Sequence, residues 1–164
     1  LISVNEEENI YKVYIVNDNL TSEKGKLEIQ LIDFDGNILW YKISEIQIDA
    51  NTSKVYFQID KKEFEKFNLK QAVLNIKFNE VKTNYFFEKP KDLELKNPTI
   101  SIKVLNETTI QISTYKLVKN VFLSQEETSF SDNYFDLLPN EKRIIKLSKP
   151  VKDVKVMSLF DTMK

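Results

Sequence analysis

Leu27-Glu28-Ile29-Gln30-Leu31-Ile32-Asp33-Phe34-Asp35-Gly36-Asn37-Ile38-Leu39-Trp40 decides how this chain is read. Leu27, Ile29 and Leu31 alternate with Glu28 and Gln30, and in a strand side chains two apart share a face. Asp33 to Asn37 is turn chemistry, with Gly36 where a positive φ is tolerated. Ile38 and Trp40 then resume an apolar face. Residues 26–41 therefore read as a β-hairpin with one buried side.

The same period extends in both directions. Tyr11, Val13 and Ile15 form a strand before the hairpin. Ile46 with Ile48, then Val55, Phe57 and Ile59, form two more after it, with Asn51-Thr52-Ser53 as a turn between them. Residues 60–70 break the alternation, and Lys61 to Phe67 within them read as a helical turn or an irregular corner. Ala72, Leu74, Ile76 and Phe78 resume it, followed by Tyr85 and Phe87. About six or seven short strands with turns every 8–12 residues or so match an immunoglobulin-like sandwich. Pro90 and Pro98 bracket a charged stretch suited to an extended connection. Beyond it the pattern restarts at Ile100, Ile102 and Val104, then at Ile110 with Ile112, Val121 with Leu123, Tyr134 to Leu138, Ile144 to Leu147, and Val154 with Val156. The expected fold is all-β, two immunoglobulin-like β-sandwich domains in tandem, over residues 1–90 and 91–164.

Composition removes several classes of function. Lysine plus arginine number 24 and aspartate plus glutamate 25, a net charge of −1. No concentrated basic excess is left for nucleic acid or an anionic membrane. With no cysteine and no histidine, disulfides, thiolate nucleophiles, histidine triads and most zinc sites drop out. Two glycines cannot build a Gly-rich phosphate loop, and Arg143 is the single arginine. No cofactor is expected. No apolar run approaches the roughly 20 residues needed to span a bilayer. The opening Leu1 to Glu8 lacks the regions of a signal peptide, and the chain reads as an excised piece of a longer protein. The Lys, Asn and Ile bias is that of an AT-rich bacterial genome. The compartment is left open between cytoplasm and periplasm or exterior.

Short chemical motifs are weighed against plain structure. Ser113-Thr114-Tyr115-Lys116 and Ser131-Asp132-Asn133 match fragments of serine β-lactamase motifs, but Ser113 sits in an alternating strand and no Lys-Thr-Gly follows. Asp33, Asp35, Gly36 and Asn37 begin like a calcium loop and lack its remaining ligands. The glutamates at 6–8 and at 126–127 are read as solvated charge, not as a glycosidase pair. Three Asn-x-Ser/Thr sequons, at Asn19, Asn51 and Asn106, are read as accidents of an Asn-rich chain. Trp40, Tyr41, Tyr56, Phe57, Tyr85, Phe86 and Phe87 could supply a platform for stacking on sugar rings, and Trp40, Tyr85, Phe86 and Phe87 are singled out as candidates for sugar stacking or for contact with a neighbouring domain. Three consecutive rings in a strand must use both faces.

The most distinctive stretch is Phe130-Ser131-Asp132-Asn133-Tyr134-Phe135-Asp136-Leu137-Leu138-Pro139-Asn140-Glu141. Read physically, it is an aromatic strand between two strong turns. Tyr134, Asp136 and Leu138 are expected on one face, and Phe135 with Leu137 on the other. It resembles the Ser-Asp-Asn-Tyr-Phe-Asp-Leu-Leu-Pro-Gly-Glu segment near the C-terminus of β-mannosidases of glycoside hydrolase family 2. Related exo-β-glucosaminidases carry a similar segment. Asn140 stands for the usual Gly and also tolerates a left-handed turn. Val121-Phe122-Leu123 and Val156 to Thr162 extend the resemblance. Upstream, Tyr14 to Asp18 and Leu31 to Gly36 look like the preceding domain of the same enzymes. The resemblance implies the last two, non-catalytic domains of such a hydrolase. The barrel with its catalytic glutamates would lie elsewhere in the same parent chain as their partner, and no catalytic residue is carried over. β-Mannoside glycans are the second partner class. An independent carbohydrate-binding module, or an adhesin-like surface sandwich, are the readings the residues leave open.

Overall fold

The structure is a computed structural model that describes residues 1–163. It divides into two compact units. Leu1–Asp33 with Ile38–Leu93 form the first, and Phe34–Asn37 with Glu94–Lys164 form the second. Each is a sandwich of two antiparallel sheets, the immunoglobulin-like architecture expected from the strand spacing.

In the first unit the strands are β1 (Ile2–Glu7), β2 (Ile10–Asn17), β3 (Glu23–Asp33), β4 (Ile38–Ile48), β5 (Thr52–Asp60), β6 (Ala72–Phe78) and β7 (Val81–Phe86). One sheet has the order β1-β2-β5 and the other β4-β3-β6-β7. Leu27, Ile29 and Leu31 on β3 meet Leu74, Ile76 and Phe78 on β6, and Tyr11, Val13 and Ile15 on β2 supply the opposing sheet. All of these are buried. Period two is therefore realised as an inward face on three of the strands that the sequence marks most clearly.

Two details of this unit differ from expectation. Ile38, expected on the apolar face, is 59% exposed. The β3–β4 ladder shifts register between Leu31 and Ile32, and it is Leu39 and Trp40 that pack on the core. Such an irregularity re-aims the side chains beyond it. Ile46 and Ile48 belong to the same eleven-residue strand as Ile38, not to a separate one. The break at residues 60–70 holds one 3-10 turn, Lys61–Phe64, and the start of a second, Leu69–Gln71. Asp60 caps the first by accepting from Lys62 N at 2.9 Å, and its last residue, Phe64, is fully buried.

The second unit contains β8 (Ile100–Asn106), β9 (Thr109–Thr114), β10 (Val118–Ser124), β11 (Phe135–Leu137), β12 (Lys142–Lys146) and β13 (Lys155–Met157). Its sheets are β12-β9-β8 and β11-β10-β13, with a four-residue helix, Leu159–Thr162, near the end. Ile110 and Ile112 oppose Val121, Leu123, Phe135 and Leu137 in a second core. β8 is an edge strand. Its register puts Ile102 and Val104 beside Ile112 and Ile110, yet they are 38% and 57% exposed.

Leu31→Ala should lower the stability of the first unit by about 2–5 kcal/mol, because it empties a fully packed site. Ile38→Ala should change it by less than about 0.5 kcal/mol. Urea unfolding followed by the fluorescence of Trp40, the single tryptophan, checks both; equal effects would mean that the bulge does not separate the two positions.

Candidate functional site

The Ser131–Glu141 segment is built by polar side chains bonding to backbone. β11 is three residues long and pairs with β10 at Val121↔Phe135 and Val118↔Leu137, so β10 carries an irregularity between those pairs. Asn120 in that irregularity has φ +53°. Asp136 faces it, accepting from Asn120 N at 2.9 Å and from Lys119 Nζ at 3.4 Å. An acidic side chain on the short strand thus satisfies a donor that the ladder leaves unpaired.

Asn133 does the same one step earlier. Its carboxamide accepts from Leu123 N at 2.8 Å and donates to Leu123 O at 2.9 Å, standing in for a strand residue beyond the end of β11. Ser131 Oγ accepts from Lys146 N at 2.9 Å. At the other end Glu141 Oε2 accepts from Leu138 N at 2.8 Å. Pro139 follows, and Asn140 takes φ +65°, a left-handed conformation that Asn tolerates. Arg143 ties the two turns together. It donates to Asp132 Oδ2 at 3.0 Å and to Glu141 Oε1 at 3.3 Å, and lies 4.2 Å from the centre of the Phe135 ring.

Phe135 and Leu137 point into the core as expected, while Asp136 faces the other way. Tyr134 departs from the expected strand face. It lies just outside β11 at φ +57°, a costly conformation for a bulky side chain, and is 70% exposed. Its ring stacks on Phe122 with centroids 5.0 Å apart and planes at 25°. The sequence marks Arg143 as the one candidate for bidentate capture of a phosphate or carboxylate, but not that it bridges Asp132 and Glu141. Its singularity in the composition was the available signal, since one guanidinium can bridge two carboxylates.

The four aromatics singled out in the first unit are divided by the sheet. Tyr85 and Phe87 turn inward, against Tyr11 and, for Phe87, Phe64. Their own rings meet edge to face at 5.3 Å. Trp40 is also on the inner side, edge to face with Phe64 at 5.3 Å, and its Nε1 donates to Glu63 Oε2 at 3.0 Å. Phe86, between the two inward rings, belongs to the outer face and is half-buried. Burial pushes the Tyr11 phenol up to about 12, helped by Glu6, Tyr85 and Glu88. Tyr85 is raised as well, chiefly by burial and then by Glu6.

Elsewhere, Asn17 is buried. Its Nδ2 donates to Thr21 O at 3.0 Å in the loop that follows and to Asp49 O at 3.1 Å just beyond β4. Asp35, of the calcium-like turn, pairs with Lys96. Thr114, within the lactamase-like fragment, is buried, and its Oγ1 donates to Lys116 O at 2.6 Å. Among the described residues no group of three or more Asp or Glu side chains is placed to hold a metal ion.

Residues 9–92 match a family described as mannosidase Ig/CBM-like domain, and residues 95–162 match one described as an Ig-fold domain. No curated protein sequence matches the chain. Among solved structures, β-D-mannosidase from Dictyoglomus thermophilum is similar with a TM-score of 0.76 and 22% identity, over 96% of this chain and 21% of that one. The chain thus corresponds to about a fifth of that enzyme's length, and the likeness is one of fold. Red sea bream transglutaminase aligns over 96% of this chain and 29% of its own, with a TM-score of 0.38 and 9% identity, too weak to bear on the fold.

Two outcomes are expected. Asn133→Ala leaves the Leu123 amide and carbonyl without their side-chain partner. It should cost about 1–3 kcal/mol and speed hydrogen exchange at Leu123, which NMR measures directly. Because the folded chain holds the Tyr11 proton up to about 12, against 10.0 ordinarily, its contribution to stability is full below pH 10 and is lost as the pH rises toward 12. Unfolding midpoints over that alkaline range should fall less steeply in Tyr11→Phe than in the unaltered chain.

Proposed function

The chain belongs to the mannosidase Ig/CBM-like domain family, and from that premise we propose that it is the non-catalytic C-terminal region of a β-mannosidase-like hydrolase of glycoside hydrolase family 2. Its two modules, residues 1–90 and 91–164, would pack on the catalytic barrel of the same parent chain and stabilise it. The parent would hydrolyse terminal β-mannosides. The observation that carries this reading is the succession of the two family matches along one chain, at residues 9–92 and 95–162.

The chemistry of the second unit supports a supporting role. Glycoside hydrolysis uses two carboxyl groups, one to protonate the leaving oxygen and one to attack or to activate water. The distinctive segment holds three carboxylates, and each is engaged in holding backbone or cation. Asp132 binds Arg143, Asp136 binds Asn120 N and Lys119, and Glu141 binds Leu138 N and Arg143. A group tied in this way is poorly placed to exchange protons with a sugar.

Deleting residues 1–164 from the full-length parent should lower the temperature at which its hydrolase activity is lost, measured as residual turnover of a chromogenic β-mannoside after heating. The purified chain alone should give no turnover of that substrate. An unchanged inactivation temperature, or turnover by the chain alone, would overturn the proposal.

A further inference from the structure

Strand register sets four hydrogen-bonding side chains in one line across the outer face of the β4-β3-β6-β7 sheet. Tyr41 on β4 faces Gln30 on β3, Gln30 faces Asn75 on β6, and Asn75 faces Asn84 on β7. Their neighbours in sequence, Trp40, Leu31, Leu74 and Tyr85, pack on the core, so these four project the other way. With strands about 4.8 Å apart, the row is about 14 Å long. On one side lies the row Ile43, Glu28, Lys77 and Lys82. There the face continues into a shallow open depression of about 400 Å³, lined by Gly25, Lys26, Glu28, Glu45, Lys77 and Asn79.

Strand stability does not account for this row. Asparagine is depleted in strands, yet Asn75 and Asn84 sit inside β6 and β7, opposite each other. Asn75 Nδ2 donates to Asn84 Oδ1 at 2.8 Å. That bond orients both amides and leaves Asn84 Nδ2 and Asn75 Oδ1 to point elsewhere. Among the described residues no protein partner is found for those two atoms, for the Gln30 carboxamide or for the Tyr41 hydroxyl. Gln30, Asn75 and Asn84 are half-buried, and Tyr41 is 48% exposed.

We infer that this row is a binding site for a neutral β-linked oligosaccharide, lying across the strands with Tyr41 against one pyranose ring. Carboxamides both donate and accept, as sugar hydroxyls do. The row carries no formal charge, whereas a phosphate or carboxylate ligand calls for cations in it. A peptide adding to this sheet would use a free edge, not a face. β-1,4-linked hexose chains are extended, as the row is, and the exposed tyrosine ring offers an apolar surface to sugar C–H groups. The inference is independent of the supporting role proposed above, since it concerns one face of the first unit and needs no parent enzyme.

The test is NMR titration of the whole chain with mannohexaose and with cellohexaose, following the side-chain amide signals of Gln30, Asn75 and Asn84. Saturable shifts of those signals at millimolar glycan are expected. Binding should be about tenfold weaker or worse in Tyr41→Ala, the effect of one lost ligand contact. Tyr41 is exposed, so that variant keeps the fold, and Asn84→Ser provides a second variant with the same expected loss. No shift with either hexaose, shifts confined to other residues, or affinity unchanged in both variants would each overturn the inference.

Discussion

The inward face of β3 is the constraint on which the first unit depends. Leu27, Ile29 and Leu31 lie on a strand paired on both sides, with β4 and with β6. Because strand side chains alternate strictly, a slip of one residue would send all three to solvent and bring Glu28 and Gln30 into the core. Burial of these residues therefore sets the register of two ladders at once. That same register decides what the outer face displays. The line from Tyr41 to Asn84 is the reverse side of the hydrophobic pattern, aligned by it and contributing nothing to it.

The second unit meets a different difficulty. Its β11 and β13 have three residues each, too few to satisfy the backbone of β10 along its length. Side chains supply the missing partners. On β10 Asn133 serves Leu123 and Asp136 serves Asn120; elsewhere in the unit Ser131 serves Lys146 at the end of β12 and Glu141 serves Leu138 beyond β11. Half-buried backbone groups left unpaired are expensive, so the identities of Asn133 and Glu141, which serve the half-buried Leu123 and Leu138 amides, matter most. This explains how a segment can be so distinctive in sequence and still be structural. Tyr134 is the exception, since its exposed ring and positive φ are not required by any of these bonds.

Much of the architecture was legible because period two is a strong signal. The buried faces of β2, β3 and β6, and of β9 and β10, fall where alternation puts them, and the turn at Asn140 takes the left-handed conformation read from its residue type. The details that were not legible share a cause. Ile38 is exposed because a register shift, which leaves no mark in composition, precedes it. Trp40, Tyr85 and Phe87 look like a platform in one dimension, but the sheet turns them inward and leaves Phe86 outside. Tyr41 was legible as a sugar-stacking candidate, but its line with Gln30, Asn75 and Asn84 was not, because the four lie on four strands and nothing in linear spacing relates them.

The sequence alone determined the class of the protein: all-strand, in two sandwiches, with no histidine or cysteine chemistry available. That much follows from alternation and from which atoms the residues possess, both of which are local properties of the chain. Tertiary structure alone decided which side chains share a face, which carboxylates are bound to Arg143 or to backbone, and which amides remain open. Those depend on pairing between residues distant in sequence, and a one-residue difference in register would have produced another surface from the same amino acids.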